Sequence, residues 1–271
     1  MKVAISGAGG FVAKHLKNQF KEYIEIKRND TEEDILDKLQ GVDAVFNLAG
    51  APIIKRWNDE YKKLLFSSRI DTTAKLVSAI NKSDVKHFIS TSAIGAYPDN
   101  EVCDEFSKER ANDYLGYLTE KWEEEALKCT KPTSIIRFGV ILGNDDGALK
   151  SMILPFKLAL GGIIGNGKMM FSWIDIDDLV SMYKFILDNN ATGVFNAVSP
   201  NPVSNYVYTK SLGKVLKRPT VFPLPIFVLK IIFGEGSTVL SGSKEIYPKR
   251  ILDLGFDFKY KTIDESLVHL L

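Results

Sequence analysis

Ser92, Tyr117 and Lys121 are the residues of this chain whose types and spacing suit acid–base chemistry. Tyr117 and Lys121 bracket the run Tyr117-Leu118-Thr119-Glu120-Lys121, so on a helix they share one face. A phenol titrates near ~10, and a neighbouring ammonium favours its phenolate, which brings it closer to useful proton exchange. Ser92 belongs to Thr91-Ser92-Ala93-Ile94-Gly95, directly after the strand-like His87-Phe88-Ile89-Ser90. A hydroxyl at the carboxyl end of a central parallel strand faces the ligand crevice, where it can bond an oxygen that changes charge during hydride transfer. A plain amphipathic face built from Tyr114, Tyr117, Leu118 and Trp122 explains the same helix, and both readings stay open on the sequence.

Chemistry of that kind needs a hydride carrier, and the N-terminus offers a place for one. Val3-Ala4-Ile5 reads as a strand, Gly7-x-x-Gly10-x-x-Ala13 as a tight turn, and Phe11 to Leu16 as the start of a helix. Glycines there allow the turn and let backbone N–H groups approach a pyrophosphate, and the helix N-terminus adds partial positive charge. At the end of the next strand stands Lys27-Arg28-Asn29-Asp30. An arginine about 20 residues after the first glycine accommodates a ribose 2′-phosphate, whereas an acidic residue binds the 2′-hydroxyl. Arg28 therefore favours NADP(H), and Asp30 keeps NAD(H) open.

Composition narrows the remaining classes. The chain has 271 residues, with 35 Lys plus Arg against 34 Asp plus Glu, a formal net charge of +1. That balance argues against nucleic-acid binding by bulk charge. The two cysteines, Cys103 and Cys129, exclude a disulfide framework, and the histidines at 15, 87 and 269 form no zinc-type spacing, so no metal is expected. The most apolar stretch, Val221 to Phe233, contains Pro223, Pro225 and Lys230, and falls short of the ~20 residues of a membrane-spanning helix. Met1-Lys2 leads straight into the first strand with no room for a signal peptide, so a cytoplasmic protein acting on a small molecule is expected. Monomer and homodimer remain equally open.

The elements that must position these residues alternate. Strands are expected at Tyr23–Ile26, Val42–Leu48, His87–Ser90, Ser134–Leu142 and Val194–Val198. Helices are expected at Glu32–Leu39, with Thr31 as N-cap, at Asn112–Lys128 and at Asp175–Leu187, with one long helix over Asp59–Asn81. This order predicts an α/β fold, a Rossmann-type doubly wound parallel sheet. The segment from Gly143 to Gly167 carries glycines at 143, 147, 161, 162, 165 and 167 and reads as loops around a helix at Leu149–Leu160. Further helices are expected from Pro202 to about Leu216, at Ser243–Leu254 and at Ile263–Leu270, with Phe256–Tyr260 as an alternating strand. The division expected is a dinucleotide-binding domain over 1–142, rejoined by 175–198, and a smaller α+β substrate-side region from 143–174 and 199–271.

Together these residues resemble the extended short-chain dehydrogenase/reductases over nearly the whole chain. Within them the sequence is most similar to the "epimerase family" proteins, NAD-dependent epimerase/dehydratase-like chains with a small C-terminal domain of unknown function. The stretches that carry the likeness are Asn47-Leu48-Ala49-Gly50-Ala51-Pro52, Arg56-Trp57, Ser68-Arg69, Ser92-Ala93-Ile94-Gly95, Trp122-Glu123, Ser172-Trp173-Ile174, Asp177-Asp178, Ser199-Pro200 and Gly255-Phe256. The resemblance implies that Gly7, Gly10, Phe11 and Val12 line the pyrophosphate and that Arg28 contacts the adenosine phosphate. It also implies that Leu48, Ala49 and Gly50 pass beside the cofactor, and that Ser92, Tyr117 and Lys121 match the superfamily's Ser, Tyr and Lys, with Tyr117 and Lys121 also touching the cofactor. The expected activity is that of an NAD(P)-dependent oxidoreductase or epimerase on a small carbinol, carbonyl or nucleotide-sugar-like substrate; the alternative is an NADP(H)-binding regulatory or sensor module without turnover. Relatives often carry another residue at the position of Tyr117, Arg69 stands where many members have an active-site asparagine, and Asp175 stands where relatives commonly have histidine. Only Asp30 to Gly41 separates the second strand from Val42, which leaves room for one edge strand fewer than usual.

Overall fold

The computed structural model describes residues 1–271. Six apolar segments pair as β1 (Lys2–Ser6), β2 (Glu22–Ile26), β3 (Ala44–Asn47), β4 (His87–Ala93), β5 (Thr133–Phe138) and β6 (Gly193–Ala197). They lie in the order β2-β1-β3-β4-β5-β6, and every neighbouring pair is parallel. The sheet ends at β2: between β2 and β3 the chain forms only α2 (Glu32–Lys38), so the short connection does cost the sheet an edge strand. Thr31 caps α2 through its hydroxyl, and Asp34 returns the bond to the Thr31 N–H at 2.8 Å, a reciprocal capping box.

Alternation along the strands divides the core. Val3 and Ile5 face α1 (Phe11–Lys17) and α6 (Ile176–Asp188), together with α7 (Asn205–Val215) and α8 (Ile263–Leu270). Ala4, Val45 and Phe88 face the other way, onto α2 and the helix Ile70–Asn81. Ile263, Leu267 and Leu270 of the C-terminal helix share a core with Val3 and Ile5, so the second half packs against the sheet. No helix is long and apolar enough to cross a membrane.

Several expected elements change. The helix expected over Asp59–Asn81 is two, α3 (Asp59–Ser67) and α4 (Ile70–Asn81). Its apolar period continues through the break, but Ser68 ends α3 and turns its hydroxyl to accept from the Ala51 N–H at 3.0 Å, and Arg69 stands as the N-cap of α4. The strand expected over Ser134–Leu142 divides at Gly139 into β5 and a short piece, Val140–Leu142, which pairs with Trp173–Asp175 rather than with the main sheet. A Cβ at Gly139 would stand 2.7 Å from the Ser172 carbonyl oxygen, so the crossing of these backbones requires glycine. Of the helix expected over Ser243–Leu254 only Lys249–Asp253 forms, because Glu245–Ile246 pairs as a strand with Val102–Cys103. Phe256, Phe258 and Tyr260 are buried in alternation as expected, but no strand forms: the N–H groups of Lys259 and Tyr260 donate to the buried Asp178 carboxylate at 2.8 and 3.0 Å.

His87, buried at the start of β4, carries a pH dependence. The Ser134 hydroxyl donates to the Ala191 carbonyl at 2.6 Å, so it accepts from His87 Nε2–H at 2.8 Å. His87 Nδ1 is then a bare lone pair with no partner. Burial lowers the His87 pKa, so the neutral ring is the stabilised form. A depressed folded pKa means that its stability is present above the unfolded value of 6.5 and is lost as pH falls through the lower folded value. We expect thermal melts of the wild type to drop as pH falls below about 6.5, and the drop to shrink in His87→Gln, which keeps the donor to Ser134 but cannot take up a proton.

Candidate functional site

The carboxyl ends of β1, β2 and β3 open into a cleft of about 470 Å³. Its floor is Ser6-Gly7-Ala8-Gly9-Gly10, and its walls include Glu25 to Arg28, Leu48 to Ala51, and Ser68, Thr72, Lys75 and Leu76. Gly7 has φ +70°, and a Cβ there would lie 2.6 Å from the Leu48 carbonyl oxygen. The turn from β1 therefore passes against the turn from β3 at a distance only glycine permits. Gly10 is the N-cap of α1 and makes no side-chain cap, so the first-turn N–H groups of the helix are left for an anion at its N-terminus. These features fit a dinucleotide pyrophosphate. Phe11 and Val12, expected beside the pyrophosphate, are not among the cleft-lining residues: the Val12 side chain is in the core, and the Phe11 ring lies under Gly143 and Gly147.

Beneath the cleft the strand ends are tied together by buried hydrogen bonds. The Ser6 hydroxyl donates to Asn47 Oδ1 at 2.7 Å. The Asn47 amide donates to Thr73 at 2.8 Å and to Ser90 at 3.3 Å, and the Trp122 indole also donates to Thr73, at 3.0 Å. At the far wall Arg28 is exposed and has no carboxylate partner, whereas Asp30 is occupied: its carboxylate accepts from the Lys27 N–H at 2.7 Å and pairs with Lys38. Lys75 donates to the Asp30 carbonyl at 2.7 Å and adds a second cation to that wall. Ser68, Thr72 and Lys75 escaped the sequence reading as cleft residues. Their spacing along Ser68 to Leu76, a polar stripe running beside the apolar one, is the signal that marks them.

The other predicted residues are placed differently. Ser92 is buried and donates to Glu123 at 2.6 Å. Glu123 in turn accepts from Arg137 Nε at 2.7 Å and Nη2 at 2.6 Å, a two-pronged ion pair. Burial by itself would lower the Arg137 pKa, but the Glu123 carboxylate more than offsets this and holds it above the ordinary value. Arg137 also donates to the Tyr97 hydroxyl at 2.7 Å, and Tyr97 donates to Asn196 at 2.9 Å.

Tyr117 and Lys121 lie on α5 (Tyr114–Ala126), but on its outer face. Tyr117 is 47% exposed and stacks on Phe66, and Lys121 pairs with Glu124 at 2.7 Å. Neither hydrogen-bonds Ser92, so the structure does not assemble the three into one constellation. The reason is the rotation of α5. Gly116, Thr119 and Glu123 face inward, and the residues nearest a Cβ at Gly95 are Leu115 at 3.2 Å and Thr119 at 3.8 Å. Asp175 is likewise removed from the crevice: it is fully buried, caps α6 by accepting from the Asp177 N–H at 2.9 Å, and accepts from Ser266 at 2.6 Å.

Comparison with known proteins bears on this geometry. The NAD dependent epimerase/dehydratase family matches residues 3–198, and a domain of unknown function, DUF1731, matches residues 224–270. The chain is 37% identical to an Arabidopsis thaliana protein named epimerase family protein SDR39U1 homolog, chloroplastic, covering 98% of this chain and 86% of that one. It is 33% identical to an epimerase family protein of Staphylococcus haemolyticus, covering 96% and 95%. Among solved structures, that of the human epimerase family protein SDR39U1 (isoform 2) with NADPH superposes with a TM-score of 0.92 at 29% identity, covering 100% of this chain and 99% of that one. The UDP-glucuronic acid 4-epimerase of Bacillus cereus in complex with NAD, at 17% identity and a TM-score of 0.78, shares the fold.

Two substitutions test the site's construction. Gly7→Ala is expected to weaken NAD(P)H binding by at least about tenfold, because a positive φ and the Leu48 contact both oppose the methyl group; fluorescence titration reads it. Glu123→Ala, which leaves Arg137 buried without its partner, is expected to cost about 3–5 kcal/mol in urea unfolding.

Proposed function

We propose, since the chain belongs to the NAD-dependent epimerase/dehydratase family, that it is an NADP(H)-dependent oxidoreductase or epimerase acting on a small carbinol or carbonyl compound. The observation that carries the cofactor assignment is the wall at the end of β2. Arg28 is exposed and unpaired there, while Asp30, the residue that would bind a ribose 2′-hydroxyl, is turned to Lys38 and the Lys27 N–H. The NADPH in the human relative's structure supports the same choice.

Gly7, Gly10 and the first turn of α1 hold the pyrophosphate, Arg28 the 2′-phosphate, and Leu48, Ala49 and Gly50 the opposite side of the cofactor. When bound, the nicotinamide supplies or accepts the hydride. The region formed by 143–174 and 199–271 serves as the substrate side, and the domain formed by 1–142 with 175–198 as the cofactor side. The chain works as a cytoplasmic protein on this reading.

A second reading has its own observation. Ser92 is committed to Glu123, and Tyr117 and Lys121 face outward, which favours an NADP(H)-binding module without turnover. The two readings separate on turnover. Oxidation of NADPH across a panel of carbonyl and nucleotide-sugar compounds supports the enzyme. Tight binding with no oxidation supports the module. A Tyr117→Phe variant that keeps full turnover removes the tyrosine from the chemistry, as its outward position leads us to expect.

For the cofactor, Arg28→Ala is expected to weaken NADPH by at least about tenfold and NADH far less, since the lost contact is to the 2′-phosphate alone. Fluorescence titration with both cofactors checks this. An equal loss for the two, or no binding of either by the wild type, overturns the assignment.

A further inference from the structure

Arg69 stands at the break between α3 and α4, just behind the cleft wall at Gly50 and Ala51. Its guanidinium carbon would lie 3.1 Å from a Cβ at Gly50, so the charge is pressed against backbone that lines the cleft. All its hydrogen bonds go to neutral acceptors: Nη2 donates to the Ala51 carbonyl at 2.9 Å, and Nη1 to the Leu65 carbonyl at 3.2 Å and the Ser68 hydroxyl at 3.4 Å. The guanidinium lies over the buried Trp122 ring at 5.3 Å. Arg137, by contrast, answers its charge by pairing with Glu123. No carboxylate pairs with Arg69, and burial pushes its pKa down to about 10, with only the Tyr61 and Tyr114 phenols opposing.

A charge taken partly out of water without a counter-charge is costly, and a neutral side chain would hold the same loop contacts. The Nε–H and one Nη2 donor are unused within the chain, enough for a two-point contact with an oxyanion. Arg69 keeps part of its surface exposed, and the Gly50 and Ala51 backbone it abuts lines the cleft.

We infer that Arg69 is an anion-recognition residue, and that the substrate of this protein carries a carboxylate or phosphate group that pairs with its guanidinium beside the Gly50 wall. The inference rests on the reading of the cleft as an NADP(H) site, and it adds the substrate class: a carbinol or carbonyl compound bearing an oxyanion. The guanidinium orients that compound and takes no part in hydride or proton transfer.

Trp122 gives a local readout. The NADPH-saturated full chain is titrated with inorganic phosphate and, separately, with acetate, against sodium chloride at matched ionic strength, and tryptophan emission is followed. We expect a saturable change with at least one oxyanion and none with chloride. Which oxyanion acts tells phosphate from carboxylate. Arg69→Gln should weaken that response by at least about tenfold, and Arg69→Lys, which keeps the charge without the fork, by less. A wild type without a saturable response overturns the inference, and so does an Arg69→Gln or Arg69→Lys protein that melts cooperatively and responds as the wild type does. If Arg69→Gln does not fold, the lysine variant carries the comparison. NADPH binding is read from its own fluorescence in the same samples. Its loss in the wild type sinks the cofactor reading, while its presence without an oxyanion response sinks this inference alone.

Discussion

Much of the molecule is arranged around one buried ion pair. Arg137 on β5 and Glu123 on α5 meet in two hydrogen bonds, with the guanidinium side chain 1% and the carboxylate side chain 10% exposed. Two charges removed from water are tolerated only where the remaining donors and acceptors are also met. Here Ser92 satisfies the carboxylate from β4, and Tyr97 the guanidinium from the loop that follows. Tyr97 passes the chain of bonds to Asn196 on β6. The Asn196 N–H donates to Glu105 at 2.8 Å, and Glu105 accepts from the Arg250 N–H at 3.1 Å. One polar network thus joins the sheet to the C-terminal segment.

That pair also sets the phase of α5, and the phase decides which chemistry the helix can offer. With Glu123 turned inward, the inner face is Gly116, Thr119 and Glu123. Gly116 fixes the same rotation independently, since a Cβ there would lie 2.0 Å from the Ala111 carbonyl oxygen. Tyr117 and Lys121 then share a face, as their spacing requires, but it is the face turned to solvent and to Phe66. The Ser92 hydroxyl, at the carboxyl end of a central strand, is spent on the ion pair and not held out to the crevice.

The cofactor cleft obeys a different constraint, that of charge placed singly. A net charge of +1 over 271 residues gives no hint of it. Lys38 draws the Asp30 carboxylate away from the end of β2, leaving Arg28 to define the wall. At the other side Arg69 is held by carbonyls and an aromatic face, with its charge unanswered within the chain. Both cations gain their meaning from what does not pair with them.

The parallel sheet, the glycine turn, the N-cap at Thr31 and the missing edge strand were legible in the amino-acid order, because each depends on residues within one or two elements of each other. Gly7 needs only its neighbours and a strand before it; the short run from Asp30 to Gly41 has length for one helix and nothing more. The broken helix at Ser68-Arg69, the Asp178 carboxylate that replaces a strand partner for Phe256–Tyr260, and the outward turn of Tyr117 were not legible. In each, a side chain captures a distant backbone or charge: the Ala51 N–H by Ser68, the Lys259 and Tyr260 N–H groups by Asp178, Glu123 by Arg137. The sequence by itself determined the elements, their order and the cofactor turn, since periodicity and local backbone chemistry specify those. Only the tertiary structure decided which face of α5 meets the crevice and which cations stay unpaired, because desolvation makes the pairing of buried charges a property of the whole fold.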